Sequence, residues 1–311
     1  MGLRIRTNTQ SLTAQRQMGL TNARVSSTME KLSSGKRINK AADDAAGLAI
    51  ATSLESDVRS LGQARRNSQD AVSMLQVAEG SLEEITNIVT RLKEVSVQAA
   101  SDTIGQRERG YLNQEFMALK DEIDRIALST DFNGTRLLIG SQQVSPELLK
   151  NHNISPLEMQ ISKDYLLPSD SLDARNPVDI IRIDFNELNA STEGPNSLNL
   201  GSSANEAGTR IDSKQSAQNS MSVVDSALER IAGYRSTIGS VQNRLVSTER
   251  NLGVSIENLT AARSRIIDSD YAQETADFTQ GNILLQAGAA VLSQANQMPN
   301  VALKLLSAIG G

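Results

Sequence analysis

Proline placement sets the strongest limit on what this chain can become. The first 145 residues contain no proline, and neither does the stretch from 196 to 298. Five of the six prolines (Pro146, Pro156, Pro168, Pro177 and Pro195) crowd into about 50 residues between those stretches. A proline inside a helix removes a hydrogen bond, clashes with the preceding turn and costs about 3 kcal/mol. The two flanks are therefore free to form long helices, and the middle is not.

The flanks carry a matching seven-residue period. On the C-terminal side Val224, Ile231, Ile238, Leu245, Leu252, Leu259 and Ile266 are all apolar. That is the seam of a long helix in coiled-coil packing. A companion row is mixed: Met221, Leu228 and Ile256 are apolar, whereas Arg235, Gln242, Glu249 and Arg263 are polar. On the N-terminal side Leu54, Leu61, Leu75, Leu82 and Val89 keep the same period, interrupted by Ser68 and Ser96. Each helix is expected to exceed 50 residues, roughly 80 Å at 1.5 Å per residue. A further helix is predicted over about 105–128, with Leu112, Phe116, Leu119, Ile123 and Ile126 on one face.

Both chain ends repeat the pattern on a smaller scale. Met18, Val25, Met29 and Leu32 are spaced by sevens, fours and threes. Leu284, Gly288, Val291, Ala295, Met298, Ala302, Leu305 and Ile309 alternate four and three. Their small residues permit close helix approach. Pro299 inside this run is expected to kink it or to free one carbonyl.

Between the flanks the period drops to two. Leu157, Met159 and Ile161 alternate with polar neighbours, as do Ile181, Ile183 and Phe185, which reads as half-buried strands. Phe132-Asn133-Gly134 reads as a turn feeding the apolar run Leu137-Leu138-Ile139. The expected fold is mainly α. It is a long antiparallel helical hairpin or coiled coil with paired termini and a small β-hairpin-rich cap at about 132–205. Residues 1–43 with 268–311 form the expected terminal helical domain, and 44–267 the rod that carries the cap.

Composition removes several classes of function. Cysteine and tryptophan are absent and there is one histidine, His152, which reads as a solvated loop residue. Thiolate nucleophiles, disulfides and His-rich metal sites are thereby excluded. A net charge of -5 gives no footprint for nucleic acid. No apolar run is long enough for a membrane span. No apolar segment follows the arginines of the first ten residues, so a cleaved secretory signal is not expected. Gly35-Lys36 lacks the upstream glycine of a P-loop. No catalytic, cofactor-binding or metal-binding residues are expected.

Two strings remain. Leu32-Ser33-Ser34-Gly35-Lys36-Arg37-Ile38-Asn39 is followed by Ala42-Asp43-Asp44-Ala45-Ala46-Gly47. Gly35 suits the left-handed end of a helix, and Asp43 or Asp44 the cap of the next. Near the other end stand Ala262-Arg263-Ser264-Arg265-Ile266, Asp268-Ser269-Asp270-Tyr271-Ala272 and Gln286-Ala287-Gly288. With Phe132-Asn133-Gly134 they resemble the N- and C-terminal signatures of bacterial flagellins, over about residues 1–140 and 205–311. The short middle matches a form without large variable outer domains. The tail departs from the family in continuing past Leu305-Leu306 to Gly311.

The resemblance implies a structural subunit of the flagellar filament. Such a subunit is exported by a type III route, lies outside the cell, polymerises with itself and serves swimming motility. Implied partners are further copies of the chain, the export apparatus and a secretion chaperone, and the hook-junction and cap proteins. No nucleic acid partner, membrane insertion or cofactor is implied. The expected assembly core is Leu54, Leu61, Leu75, Leu82, Val89, Val224, Ile231, Ile238, Leu245, Leu252 and Leu259. Met18, Val25, Met29, Leu32, Leu284, Val291, Met298 and Leu305 are expected to line the terminal-helix seam. Arg91, Glu94, Val95 and Arg125 fall where flagellins present a helical surface to a vertebrate innate immune receptor. The competing reading of that face is packing between subunits. Rival classes are the hook–filament junction protein, with similar termini, and a cytoplasmic signalling coiled coil.

Overall fold

The computed structural model describes residues 8–140, 157–164, 179–185, 188–194, 196–203 and 208–309, with side chains up to Met298. His152, the five clustered prolines and the side chain of Leu305 lie outside the described residues. The chain is mainly α. Its elements in order are α1 (Thr9–Ser34), α2 (Ala45–Ala100), α3 (Gln106–Ser129), β1 (Asp131–Phe132), β2 (Thr135–Arg136), β3 (Leu157–Gln160), β4 (Ile180–Ile183), α4 (Lys214–Ile267) and α5 (Tyr271–Ile309). It divides into two compact units, Met1–Val58 with Glu257–Gly311, and Arg59–Ile256.

In the larger unit α2 and α4 run antiparallel. Bonds from Gln69 to Glu249, from Gln242 to Glu79 and, just past the end of α2, from Lys214 to Asp102 descend one helix as they climb the other. Leu75, Leu82, Val89, Val224, Ile231, Ile238 and Leu245 are buried in one apolar cluster, and Leu61 and Leu252 are buried as well. Ser68 and Ser96 do not interrupt this seam. Both are fully buried in its register, and their hydroxyls return to the carbonyls of Ala64 and Leu92 one turn back. A small side chain that satisfies its own hydroxyl lets the backbones approach without an orphaned polar group. The polar companion row is also accounted for. Arg235, Gln242 and Glu249 each bond across to Glu79 or Gln69 on α2.

α3 packs its Phe116, Ile123 and Ala127 into the same core. Leu112, Leu119 and Ile126 lie partly buried beside it. The buried face also includes Lys120, which a reading of the apolar stripe passes over.

β1 and β2 pair through a two-residue turn at Asn133-Gly134, with φ of 50° and 79°. Positive φ at both positions is the turn that matches strand twist, and Asn-Gly is the pair that adopts it cheaply. Leu137, Leu138 and Ile139 then enter the core as expected. β3 and β4 pair antiparallel, Leu157 opposite Ile183 and Met159 opposite Ile181. Ile181, Ile183 and Phe185 face inward.

The terminal unit holds α1, α5 and the adjoining ends of α2 and α4. Leu54 and Leu259, which belong to it, are partly buried. α5 stays helical through Pro299 to Ile309. Among the described residues no helix is long and apolar enough to cross a membrane.

Candidate assembly site

The two signature strings meet within the terminal unit. Gly35 closes α1 in the left-handed conformation, φ 68°, and its N–H donates to the Lys31 carbonyl. Arg37 N–H then donates to Ile267 O at 2.6 Å, and Ser269 N–H to Gly35 O at 3.0 Å. The Arg37 guanidinium adds a bond to Ile266 O. The break between α1 and α2 is thereby laced to the break between α4 and α5.

The acidic residues of the strings act as caps. Asp44 accepts from the Gly47 amide at the start of α2, and Asp270 from the amides of Ala272 and Gln273 at the start of α5. Asp43 accepts from the amides of Asn39 and Lys40, and the Lys40 bond first, then the Asn39 bond, holds its carboxyl below the usual carboxylate range. Among the described residues no cluster of three or more His, Asp or Glu is arranged to hold a metal ion.

α1 and α5 pack antiparallel along a row of small residues. Val25 faces Gly281 and Met18 faces Gly288. At the far end Asn8 donates to Ala295 O and Ser11 to Asn296 Oδ1, both at 2.8 Å. At the near end Lys31 pairs with Glu274 at 3.4 Å. The shielded residues include Ser11, Ala14, Met18, Thr21, Val25, Thr28 and Leu32 on α1, and Phe278, Gly281, Leu285, Gly288, Leu292 and Ala295 on α5.

Within one chain this row takes up only part of the expected set. Met18, Val25 and Leu32 are shielded, but Met29, Leu284, Val291 and Met298 are exposed. Leu285 and Leu292, one residue further along, are the partly buried ones instead. Gly281, Gly288 and Ala295 set the rotation of α5, because only these small residues let α1 approach closely. Larger neighbours then fall to either side. Leu12, Leu20 and Ile283 are exposed on the same two helices.

The expected receptor surface is only partly a surface. Arg91 is exposed and joins Glu94 at 2.9 Å and Glu115 at 2.8 Å, which raises its pKa, Glu94 most. Arg125 is exposed and paired with Glu122. Val95 is fully buried in the core of the larger unit and presents nothing to solvent.

Sequence reasoning missed a polar clasp on α3. Asn113 accepts from the Ile211 amide at 3.0 Å, Lys120 donates to Thr209 O at 3.3 Å, and Asp124 accepts from the Thr192 amide and hydroxyl at 2.7 Å each. Burial pushes the Lys120 amine down to about 8, with Asp124 opposing and Arg210 adding to the drop. The only signal available was that 113, 120 and 124 fall on one helical face.

Comparison with known proteins agrees with these strings. The bacterial flagellin N-terminal helical region matches residues 5–143, and the bacterial flagellin C-terminal helical region matches residues 221–306. The chain is 38% identical to a flagellin of Bacillus subtilis, over 98% of this chain and all of that one. It is 37% identical to a flagellin of Halalkalibacterium halodurans, over 96% of this chain and 98% of that one. Identity is also 37% to the flagellar filament 33 kDa core protein of Treponema phagedenis, with the same coverage. The chain belongs to the flagellin family, whose members are structural proteins. It is a structural subunit of the bacterial flagellar filament.

Proposed function

We propose that the subunit polymerises with copies of itself through its terminal helices, residues 1–43 and 268–311, after export by the flagellar type III route. The supporting observation is the exposed apolar set on α1 and α5: Leu12, Leu20, Met29, Ile283, Leu284, Val291 and Met298. Exposed apolar area gathered on two packed helices marks a surface that partners cover. In this reading Met18, Val25 and Leu32 hold α1 on α5, while Met29, Leu284, Val291 and Met298 meet neighbouring subunits, with Leu305 continuing the row. The heptad residues of α2 and α4 keep the larger unit rigid enough to transmit torque. The filament lies outside the cell, where its partners are the junction and cap proteins; before export the chain meets a secretion chaperone and the export apparatus. The Arg91, Glu94 and Arg125 face serves subunit packing first and a vertebrate innate immune receptor second.

Seeded polymerisation of the purified chain, viewed by negative-stain electron microscopy beside a chain trimmed of 1–43 and 268–311, tests the reading. Long uniform filaments from the intact chain alone support it. Stable monomers or short oligomers from both would reject it.

A further inference from the structure

The chain contains neither cysteine nor tryptophan, so the eight methionine thioethers are its principal targets for two-electron oxidants such as hydrogen peroxide. The fold distributes them unevenly. Met74 is 3% exposed inside the core, and Met117, Met159 and Met221 are partly covered on the larger unit. Met18 is half-buried against Gly288 in the seam between α1 and α5. Among the described residues only Met29, at 61%, and Met298, at 45%, stand exposed. One lies on α1 and the other on α5.

We propose that Met29 and Met298 are oxidation sites, and that sulfoxide at these two positions reversibly weakens assembly of the subunit. The inference rests on the reading that the terminal helices carry polymerisation. The sulfur attacks one peroxide oxygen, the O–O bond breaks, an S–O bond forms, and the second oxygen leaves as water. The thioether is oxidised and the peroxide reduced. An apolar, flexible side chain becomes a polar one with a strong acceptor. Covered by a neighbouring subunit, that acceptor loses its water, and a buried acceptor left without a donor is costly. The free subunit tolerates the same change, because both side chains remain in water.

The test is brief treatment of the purified chain with hydrogen peroxide, followed by peptide mass mapping and seeded polymerisation. Peptides containing Met29 and Met298 should gain one oxygen well before the peptide containing Met74. The critical concentration should rise about tenfold, the factor for one modest loss of contact free energy per subunit. Far-UV circular dichroism should not change. The two methionine sulfoxide reductases, one for each sulfur epimer, should restore assembly. In the double variant Met29→Leu, Met298→Leu, whatever its own critical concentration, peroxide should leave that value unchanged. An unchanged critical concentration in a chain oxidised at both positions overturns the proposal. So does peroxide sensitivity that persists in the double variant. If the leucine variant does not polymerise untreated, rescue by the reductases decides, and its failure overturns the proposal. Absence of filaments from untreated wild-type chain is a different result, which rejects polymerisation through the terminal helices.

Discussion

Val25 and Gly281 approach so closely across α1 and α5 that a methyl group on Gly281 would stand 2.4 Å from Val25 Cγ2. No real Cβ tolerates that distance, so Gly281→Ala must push the helices apart or rotate Val25. Overpacking of this kind costs about 1–3 kcal/mol, more than the roughly 1 kcal/mol of helix propensity that alanine gains over glycine. The variant should lose hydrogen-exchange protection in α1 and α5 while α2 to α4 keep theirs. Adding Val25→Ala should recover most of the loss. Equal protection in Gly281→Ala and wild type would show that the contact does not set the helix spacing.

Val291 is exposed beside that seam rather than in it. Val291→Asp should therefore leave the free subunit folded and abolish seeded polymerisation. Circular dichroism melts matching the wild type, with no filaments by electron microscopy, are the expected pair of results. A melt lowered by several degrees would mean that Val291 supports the subunit itself.

The heptad seam separates bulk from fit. Leu82→Ala should cost about 2–5 kcal/mol in urea unfolding followed by circular dichroism. Ser96→Ala removes only a bond within its own helix and should change stability by less than about 1 kcal/mol. Ser96→Leu should cost about 1–3 kcal/mol, because the position is already filled.

Lys120 makes stability depend on alkaline pH. Its folded value of about 8 lies below the ordinary 10.5, so the unfolded chain binds more protons between those limits. Stability should therefore rise as pH climbs through that window, and the burial penalty is fully present below about 8. The rise attributable to this group is roughly 1–3 kcal/mol. Lys120→Met should flatten the slope between pH 8 and 10 in urea unfolding, while losing the bond to Thr209. A slope unchanged in the variant would assign it to other groups.

Asp43 gives the same direction at acid pH, as a gain that builds rather than a penalty that is relieved. Its lowered carboxyl contributes stability above the ordinary carboxylate value, lost as pH falls through the folded value. Asp43→Asn should remove the acid-induced loosening of residues 39–44, read as amide exchange at Asn39 and Lys40.

Much of this molecule is legible along one dimension. Val224 to Leu252 could be assigned to a seam because a helix turns a seven-residue period into a row, whatever packs against it. Gly35, a cap at Asp43 or Asp44 and the Asn133-Gly134 turn could be placed because capping and positive φ are local requirements. The Arg91, Glu94 and Val95 string shows where that stops. One residue changes face every 100°, and only the partner helix decides that Val95 is core while Arg91 and Glu94 are surface. Lys120 was illegible for the same reason, since an ordinary exposed lysine and a buried one look alike until Thr209 O is found beside it.

Sequence by itself determined the helical flanks, the β-rich interruption, the caps and turns, and the family, because each depends on neighbours within a few residues or on strings read in order. Tertiary structure decided the rotation of α5 against α1, and so which apolar residues are spent inside the subunit and which are left for others. Rotation follows from the closest approach the small residues allow, and closest approach is a property of two helices together.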